Sequence, residues 1–265
     1  MYLETYRMLM EMNRKEVLGE TITDVEYEEA AALFLKGTCA RSDILKYKKC
    51  MGVSPETDHL YPDYYIPPYN GSRKLRLIQG YLPKTNLLYA NHYELEIIRF
   101  LCKAAPENEK VKEMISHTLQ RLRHTCFGNF CAQGECLAAG ISVLRLLAAA
   151  QPDDSEWIDK LWNPLGAIFL SFENRKASVQ KGIPVTYFLM VLTDIDHEKA
   201  RALLSQKKEW LSYLLVRGKR MTGRLTGNQD SEGDTFRIME ESIIRNTIGI
   251  LPDGQEILGQ GMALS

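Results

Sequence analysis

The chain has 265 residues, 45% hydrophobic and 25% charged, a composition typical of a folded globular protein rather than a disordered chain. Its 33 lysine and arginine residues nearly balance 34 aspartate and glutamate residues, and the net charge of -1 argues against a protein that mainly binds phosphate backbones. The N-terminus carries early charge, and no stretch approaches the length of a membrane span. We therefore expect a cytoplasmic protein with no membrane partner and with mostly reduced cysteines.

Residues 1–90 are predicted to form three helices and a long loop that packs on the rest of the chain. Apolar periodicity and turn residues place the helices over 4–18, 24–36 and 42–51. Thr23 and Glu26 have the spacing of a capping box, and Gly37 is expected to end the same helix in the left-handed conformation. The proline-rich stretch 61–71 cannot be helix interior, because each proline removes a hydrogen-bond donor.

Residues 91–250 contain a pattern that occurs twice. An apolar run holding Arg99 precedes Pro106, and a matching run holding Arg145 precedes Pro152, so both pairs are offset by 46 residues. A recurrence of this length is typical of stacked helical hairpins, each of which covers the apolar face of the next. The sequence therefore predicts an all-α fold of helical-hairpin repeats with a period of about 46 residues, either an open HEAT-like solenoid or a closed α/α toroid.

Details of the repeat region follow from the same periodicity. The stretch 137–150 is apolar all round apart from Arg145, which predicts a buried helix. A weaker third unit is centred on 187–192, and the final helix is expected over 234–248. Residues 251–265 are predicted to be a flexible tail.

Acidic turns occur at three corresponding places, and beside the one at 106–109 there are two that are rich in aspartate, residues 152–156 and 194–198. They loosely resemble the acidic motifs of terpenoid-processing enzymes, in which aspartates bind magnesium-diphosphate or protonate an alkene. Capping of the helices that follow explains both turns together and is the preferred interpretation, because acidic side chains suit helix N-termini.

The segment 124–136 has the most unusual composition in the chain. His124, Cys126, Cys131 and Cys136 could supply the ligands of a zinc ion from one loop. The segment lacks the paired C-x2-C spacing, so a redox-active or nucleophilic cysteine and simple packing thiols remain open, the last being the default. Glu135 beside Cys136 is the best candidate for acid or base catalysis in this segment.

Arginine and aromatic residues supply the candidate binding positions. Arg99 and Arg145 are expected either to extend to the surface or to bond a carboxylate or carbonyl between repeats, and the alternative is that both hold a small anionic ligand in a central cavity. The further candidate binding residues are Tyr89, His92, Arg217 and Arg220. The last two belong to a basic stretch, 217–227, that is predicted to be a loop; a solvated surface is preferred there to an anion site.

The leading functional prediction is a helical-repeat interaction protein. It would bind a protein or peptide along the edge that carries the long connections, which are expected at 78–90, 124–136 and 171–182. The alternative is an α/α-toroid enzyme with a central cavity that uses Glu135, the nearby cysteines and the two arginines. Nucleic acid is disfavoured as a partner by the overall charge.

Overall fold

A computed structural model describes residues 2–171, 184–195, 197–222 and 231–263, and it confirms an all-α protein. Its helices are α1 Tyr2–Leu18, α2 Asp24–Lys36, α3 Arg41–Cys50, α4 Asn86–Ala104, α5 Glu109–Arg123, α6 Cys136–Ala150, α7 Ser155–Leu170, α8 Val185–Asp194, α9 His197–Ser205, α10 Lys208–Thr222, α11 Ser231–Gly249 and α12 Gly254–Ala263. Short 3-10 turns lie at Pro55–Leu60 and Phe127–Asn129. The strands β1 (Tyr69–Asn70) and β2 (Arg73–Lys74) pair antiparallel within the long loop.

Helix starts follow the capping chemistry that the sequence predicts. The Thr23 side chain accepts a hydrogen bond from the backbone N–H of Glu26, and the Glu26 carboxylate accepts one from the backbone N–H of Thr23. This capping box begins α2 at the predicted residue. Asp154 caps α7 by accepting from the backbone N–H of Trp157 at 3.1 Å. Asp194 instead lies at the end of α8, and Asp196 lies outside the described residues.

Several predicted boundaries differ from the structure. Gly37 has a φ of -74°, so it is not left-handed; a Cβ there would lie 3.0 Å from the Thr5 hydroxyl, and close packing of α1 explains the glycine. Pro164, at which we expected the helix to kink or restart, lies inside the continuous α7, so no new helix starts there. Residues 217–222, predicted to be loop, form the end of α10, and much of the expected tail forms α12.

The core is built on α4, α6 and α8. Every residue of α6 from Leu137 to Leu147 is buried, which confirms the expectation for a helix that is apolar all round. Helix α6 packs between α4 and α8. Helix α11 packs against both α8 and α1, and α1 and α4 each pack against α2, so contacts run in a closed circuit through six helices.

Several of the other described helices lie against this circuit. Helix α5 packs on α4, α7 on α6 and α9 on α8, while α12 packs on α10 and α11. Leu251 and Ile257 are buried beside α11, which explains why the chain stays helical where a tail was expected. None of the described helices is both long enough and apolar enough to cross a membrane.

Candidate functional site

A cluster of charged side chains is buried between α4 and α6. Glu96 lies on α4, one turn before Arg99, and its Oε2 atom accepts hydrogen bonds from Arg99 Nε at 2.9 Å and from an Arg145 guanidinium nitrogen at 2.8 Å. All three side chains are at most 4% exposed. The two arginines that the sequence placed at matching positions therefore meet at one carboxylate.

The cluster extends outward to α1 and α8. Arg99 donates to Glu16 at 2.6 Å, and Arg145 Nε donates to Asp194 at 2.6 Å. Lys103, one turn after Arg99 on α4, donates to the other oxygen of Glu16 at 3.3 Å. We call Glu16, Glu96, Arg99, Lys103, Arg145 and Asp194 the charge cluster. Its three carboxylates and three cations balance one another.

Neutral polar groups adjoin the charge cluster on its inner side. The Tyr187 hydroxyl donates to Glu96 Oε1, and the Tyr187 ring lies 4.8 Å from the His92 ring in an edge-to-face arrangement. His92 Nδ1 is 3.1 Å from the Ser142 hydroxyl, while its Nε2 is buried with no hydrogen-bond partner. The candidate binding residue His92 is thus brought beside Tyr187, and its side chain is buried.

The environment fixes the protonation states of these groups. Burial would raise the pKa of Glu96, but Arg145 and Arg99 outweigh burial and lower that pKa to about 2. The pKa of Glu16 is also about 2, because Arg99 and Lys103 likewise overcome the effect of burial. Burial lowers the pKa of His92 to about 4. Both glutamates are therefore charged, and His92 is neutral, at neutral pH.

A cavity of about 330 Å³ opens at the outer side of the charge cluster. We call it the end cavity. Helices α1, α2, α4, α6, α8 and α11 all contribute to its wall. Its lining residues are Glu16, Val17, Tyr27, Lys103, Arg145, Met190, Thr193, Asp194, Ile243 and Asn246. Four of these carry charge, two of each sign, so a ligand there meets fixed hydrogen-bond donors and acceptors of both signs.

The structure brings three of the predicted metal ligands together. The Sγ atoms of Cys126, Cys131 and Cys136 all lie within 4.8 Å of one another. Burial and the two neighbouring thiols raise the pKa of Cys136 to about 12. His124 does not join this group, and it lines a separate cleft on α5.

The candidate acid or base Glu135 is fully engaged in hydrogen bonds. Its carboxylate accepts from the backbone N–H groups of Lys84 and Thr85 at 2.7 and 2.6 Å, from the Thr85 hydroxyl at 2.6 Å and from the Tyr81 hydroxyl at 3.0 Å. These bonds hold the N-terminus of α4 against the start of α6, where the helix dipole favours a negative charge. They also join the connections 78–90 and 124–136 to each other.

The remaining candidate residues lie apart from the charge cluster. The Tyr89 hydroxyl donates to the carbonyl of Pro68 and accepts from the backbone N–H of Leu75, so it fastens the long loop to α4. Arg217 is exposed on α10, and the side chain of Arg220 lies outside the described part of the chain.

A second, larger cavity lies along α5. This α5 cleft has a volume of about 960 Å³ and is open to solvent. Its lining residues are Thr38, Cys39, Arg41, Asp58, His59, Asp63, Tyr64, Glu113, Ser116, His117, Gln120, Arg121 and His124. Asp63 accepts from Arg41 and Lys48, and Glu94 beneath it accepts from Arg121, so much of the charge lining the cleft is already paired.

Sequence reasoning missed the acidic half of the charge cluster. Glu16 and Asp194 lie 83 and 49 residues from the arginines they bind, and periodicity gives no sign of such pairs. Glu96 carried a usable signal, because a glutamate three residues before an arginine on an otherwise buried helix face is expected to pair with it.

No known protein family matches the chain, and no curated protein or solved structure matches it either.

Proposed function

We propose that this protein binds a small molecule that carries both a negative and a positive group, and that it does so in the end cavity. The observation that carries the proposal is the convergence of six helices on one cavity whose wall presents Arg145 and Lys103 together with Glu16 and Asp194. Its volume lies at the lower end of the range for small-molecule sites, which is about 300–1,000 Å³.

The charge balance favours such a ligand over a simple anion. An anion held by Arg99 and Arg145 was the alternative interpretation of the sequence, but each guanidinium already donates to Glu96, and each has a second carboxylate partner. A lone anion placed near Arg145 would also lie near Asp194 and would be repelled by it. A ligand with both charges finds a complementary partner for each.

The protonation states favour binding over acid-base catalysis. A general acid or base works best with a pKa near the working pH. The pKa values of Glu16 and Glu96 lie near 2 and that of His92 near 4, so these groups hold fixed charge states at neutral pH. Fixed charges orient a ligand well and transfer protons poorly.

We further propose that the helices form a closed α/α toroid rather than an open solenoid, with hairpins that repeat at about 46 residues. Closure is supported by the packing of α11 against both α8 and α1, which joins the last unit to the first. The repeat is supported by Arg99 and Arg145, which bind the same carboxylate from neighbouring helices.

The test is a thermal-shift and calorimetric screen of the whole chain with zwitterionic amino acids and betaine, compared with dicarboxylates and diamines. A ligand at 100 times its Kd adds about 2.7 kcal/mol of stability, which is several degrees in Tm for a chain of this size. We expect zwitterions to raise Tm, and we expect dicarboxylates and diamines, whose charges are all of one sign, to have little effect.

Variants at the cavity rim locate the binding. Lys103→Met and Asp194→Asn alter partly exposed side chains, and both should remove the shift. Lys112→Met is the matched control, since Lys112 is 46% exposed against 42% for Lys103 and lies on α5 away from the cavity. The proposal is refuted if no zwitterion stabilises the wild type, or if the rim variants keep the full shift.

The α5 cleft supports a second candidate, the protein or peptide partner predicted from the sequence. Its open shape along α5 suits an extended chain. His117 and Arg41 are exposed on its rim. If a charged probe from the same screen loses its effect in His117→Ala and Arg41→Ala but keeps it in Lys103→Met, the cleft replaces the end cavity as the binding site.

A further inference from the structure

We propose that Cys126, Cys131 and Cys136, which we call the cysteine triad, bind a soft divalent metal ion of the zinc class through three sulfur ligands, leaving the fourth position open. This inference does not depend on the end cavity, because none of the three cysteines contributes to the wall of that cavity. It assigns a site to the one group of closely spaced metal-ligating side chains within the described residues.

The sulfur positions fit tetrahedral coordination. A Zn–S bond of about 2.3 Å and a tetrahedral angle place two sulfur ligands about 3.8 Å apart. Cys126 Sγ and Cys136 Sγ are 3.8 Å apart, and all three sulfur atoms lie within 4.8 Å of one another. A movement of about 1 Å in the Cys131 side chain is therefore enough to complete three corners of the tetrahedron.

Rigid elements hold two of the three ligands in place. Cys136 is the first residue of α6, whose start is tied to α4 through Glu135. Cys126 precedes the Phe127–Asn129 turn, in which the Gly128 carbonyl accepts from the Trp157 indole at 2.7 Å. The chain between them supplies Cys131 from a loop without regular structure.

Close approach of the backbone fixes the turn itself. A Cβ on Gly128 would lie 2.0 Å from the Leu122 carbonyl oxygen, so only glycine fits there. Phe130, directly before Cys131, has a φ of +65°, an uncommon conformation for a bulky residue. The backbone therefore holds the three cysteines in positions from which their sulfur atoms lie within 4.8 Å of one another.

Metal binding at this site has a simple balance. Each of the three thiols releases its proton to solvent, the hexaaqua ion gives up five of its six water ligands, and three metal–sulfur bonds form while one water stays bound. The fourth corner keeps a water molecule, since Cys126 is exposed and the site is reached from solvent. The N-terminus of α6 adds a favourable partial positive charge beside the Cys136 thiolate.

The experiment uses cobalt as a spectroscopic probe of the whole chain in reducing buffer. The metal-free protein is titrated with Co²⁺, and zinc is then added in competition. We expect one equivalent of Co²⁺ to give thiolate-to-cobalt charge-transfer absorption and the intense d–d bands of a tetrahedral ion, both of which zinc abolishes. Protein purified without chelator should contain zinc near one equivalent.

Serine variants assign the ligands. Cys126→Ser, Cys131→Ser and Cys136→Ser should each weaken cobalt binding at least tenfold. The control is Cys50→Ser, because Cys50 is an exposed cysteine at the end of α3 and outside the triad. His124→Ala should keep the cobalt spectrum, since His124 lines the α5 cleft instead. Circular dichroism of each variant shows whether it is folded.

Three results would overturn the proposal. The first is a folded wild type that gives no tetrahedral cobalt spectrum. The second is a spectrum that survives in Cys136→Ser or disappears in His124→Ala, which would assign different ligands. The third is a protein that binds no metal in reducing buffer and that forms a Cys126–Cys136 disulfide when the reductant is removed. That result would make the two cysteines a redox pair. Ligand binding in the end cavity is tested by the thermal shift, and metal binding by cobalt absorption, so either proposal can be refuted without the other.

Discussion

Replacing Glu96 by Gln should destabilise the protein more than any other isosteric change of a carboxylate in the charge cluster. The carboxylate accepts from Arg99, Arg145 and Tyr187, and it is 1% exposed. Glutamine keeps the shape and one acceptor oxygen but removes the charge that lies between two buried guanidinium groups. One cation of the cluster is then left without a compensating anion.

Two estimates give the magnitude. Removing one partner of a buried ion pair costs about 3–5 kcal/mol, because the remaining charge stays buried. Separately, the pKa of Glu96 is lowered from 4.5 to about 2, and at about 1.4 kcal/mol for each pKa unit this is roughly 3 kcal/mol of stability. We therefore expect a loss of about 3–5 kcal/mol, a large part of the total of about 5–15 kcal/mol for a typical domain.

Urea unfolding at pH 7, followed by circular dichroism and by tryptophan fluorescence, measures this loss. Glu107→Gln is the control, because Glu107 also pairs with a cation but is 91% exposed, and such pairs are worth about 0–1 kcal/mol. A loss under about 1 kcal/mol for Glu96→Gln, equal to that of the control, would show that the buried charges are not coupled as the distances imply.

Three further results are expected. Burial lowers the pKa of His92 to about 4 in the fold from its ordinary value of 6.5, so the unfolded chain binds a proton first as pH falls. The free energy of unfolding should therefore drop by about 3 kcal/mol between pH 6.5 and 4, and His92→Gln should flatten that part of a urea-midpoint profile. Gly128→Ala should lower the free energy of unfolding by more than about 2 kcal/mol because of the clash with Leu122, whereas Gly134→Ala, strained only by its φ of +54°, should cost about 1–2 kcal/mol. Glu135→Gln should cost about 1–3 kcal/mol through its weakened bonds to the start of α4, with amide exchange rising there first.

Local chemistry accounts for the parts of the fold that could be predicted. The capping box at Thr23 and Glu26 marks the start of α2 because it satisfies backbone donors within four residues. The burial of α6 follows from an apolar circumference. The continuation of α7 through Pro164 and the formation of α12 could not be predicted in this way, because tertiary packing against other helices supports both and local sequence does not show it.

The same distinction separates the two candidate sites. The cysteine triad was visible in the sequence because its ligands lie within eleven residues, although only the structure separates His124 from them. The end cavity draws on six helices from α1 to α11, so no local pattern could assemble it. The sequence did indicate that Arg99 and Arg145 occupy equivalent positions, and in the structure both donate hydrogen bonds to Glu96.

Stability alone gives a poor reason for the charge cluster. Replacing a buried ion network by apolar side chains of similar volume is often neutral or stabilising, because desolvation offsets most of the attraction between the charges. An apolar contact between α4 and α6 would therefore hold these helices at least as well as Glu96 with Arg99 and Arg145. The cluster does something that an apolar contact does not: it fixes the orientation of Arg145, Glu16 and Asp194 where they face the end cavity. Charges held in place before a ligand arrives lose little entropy when it binds, and this is the property expected of a binding site.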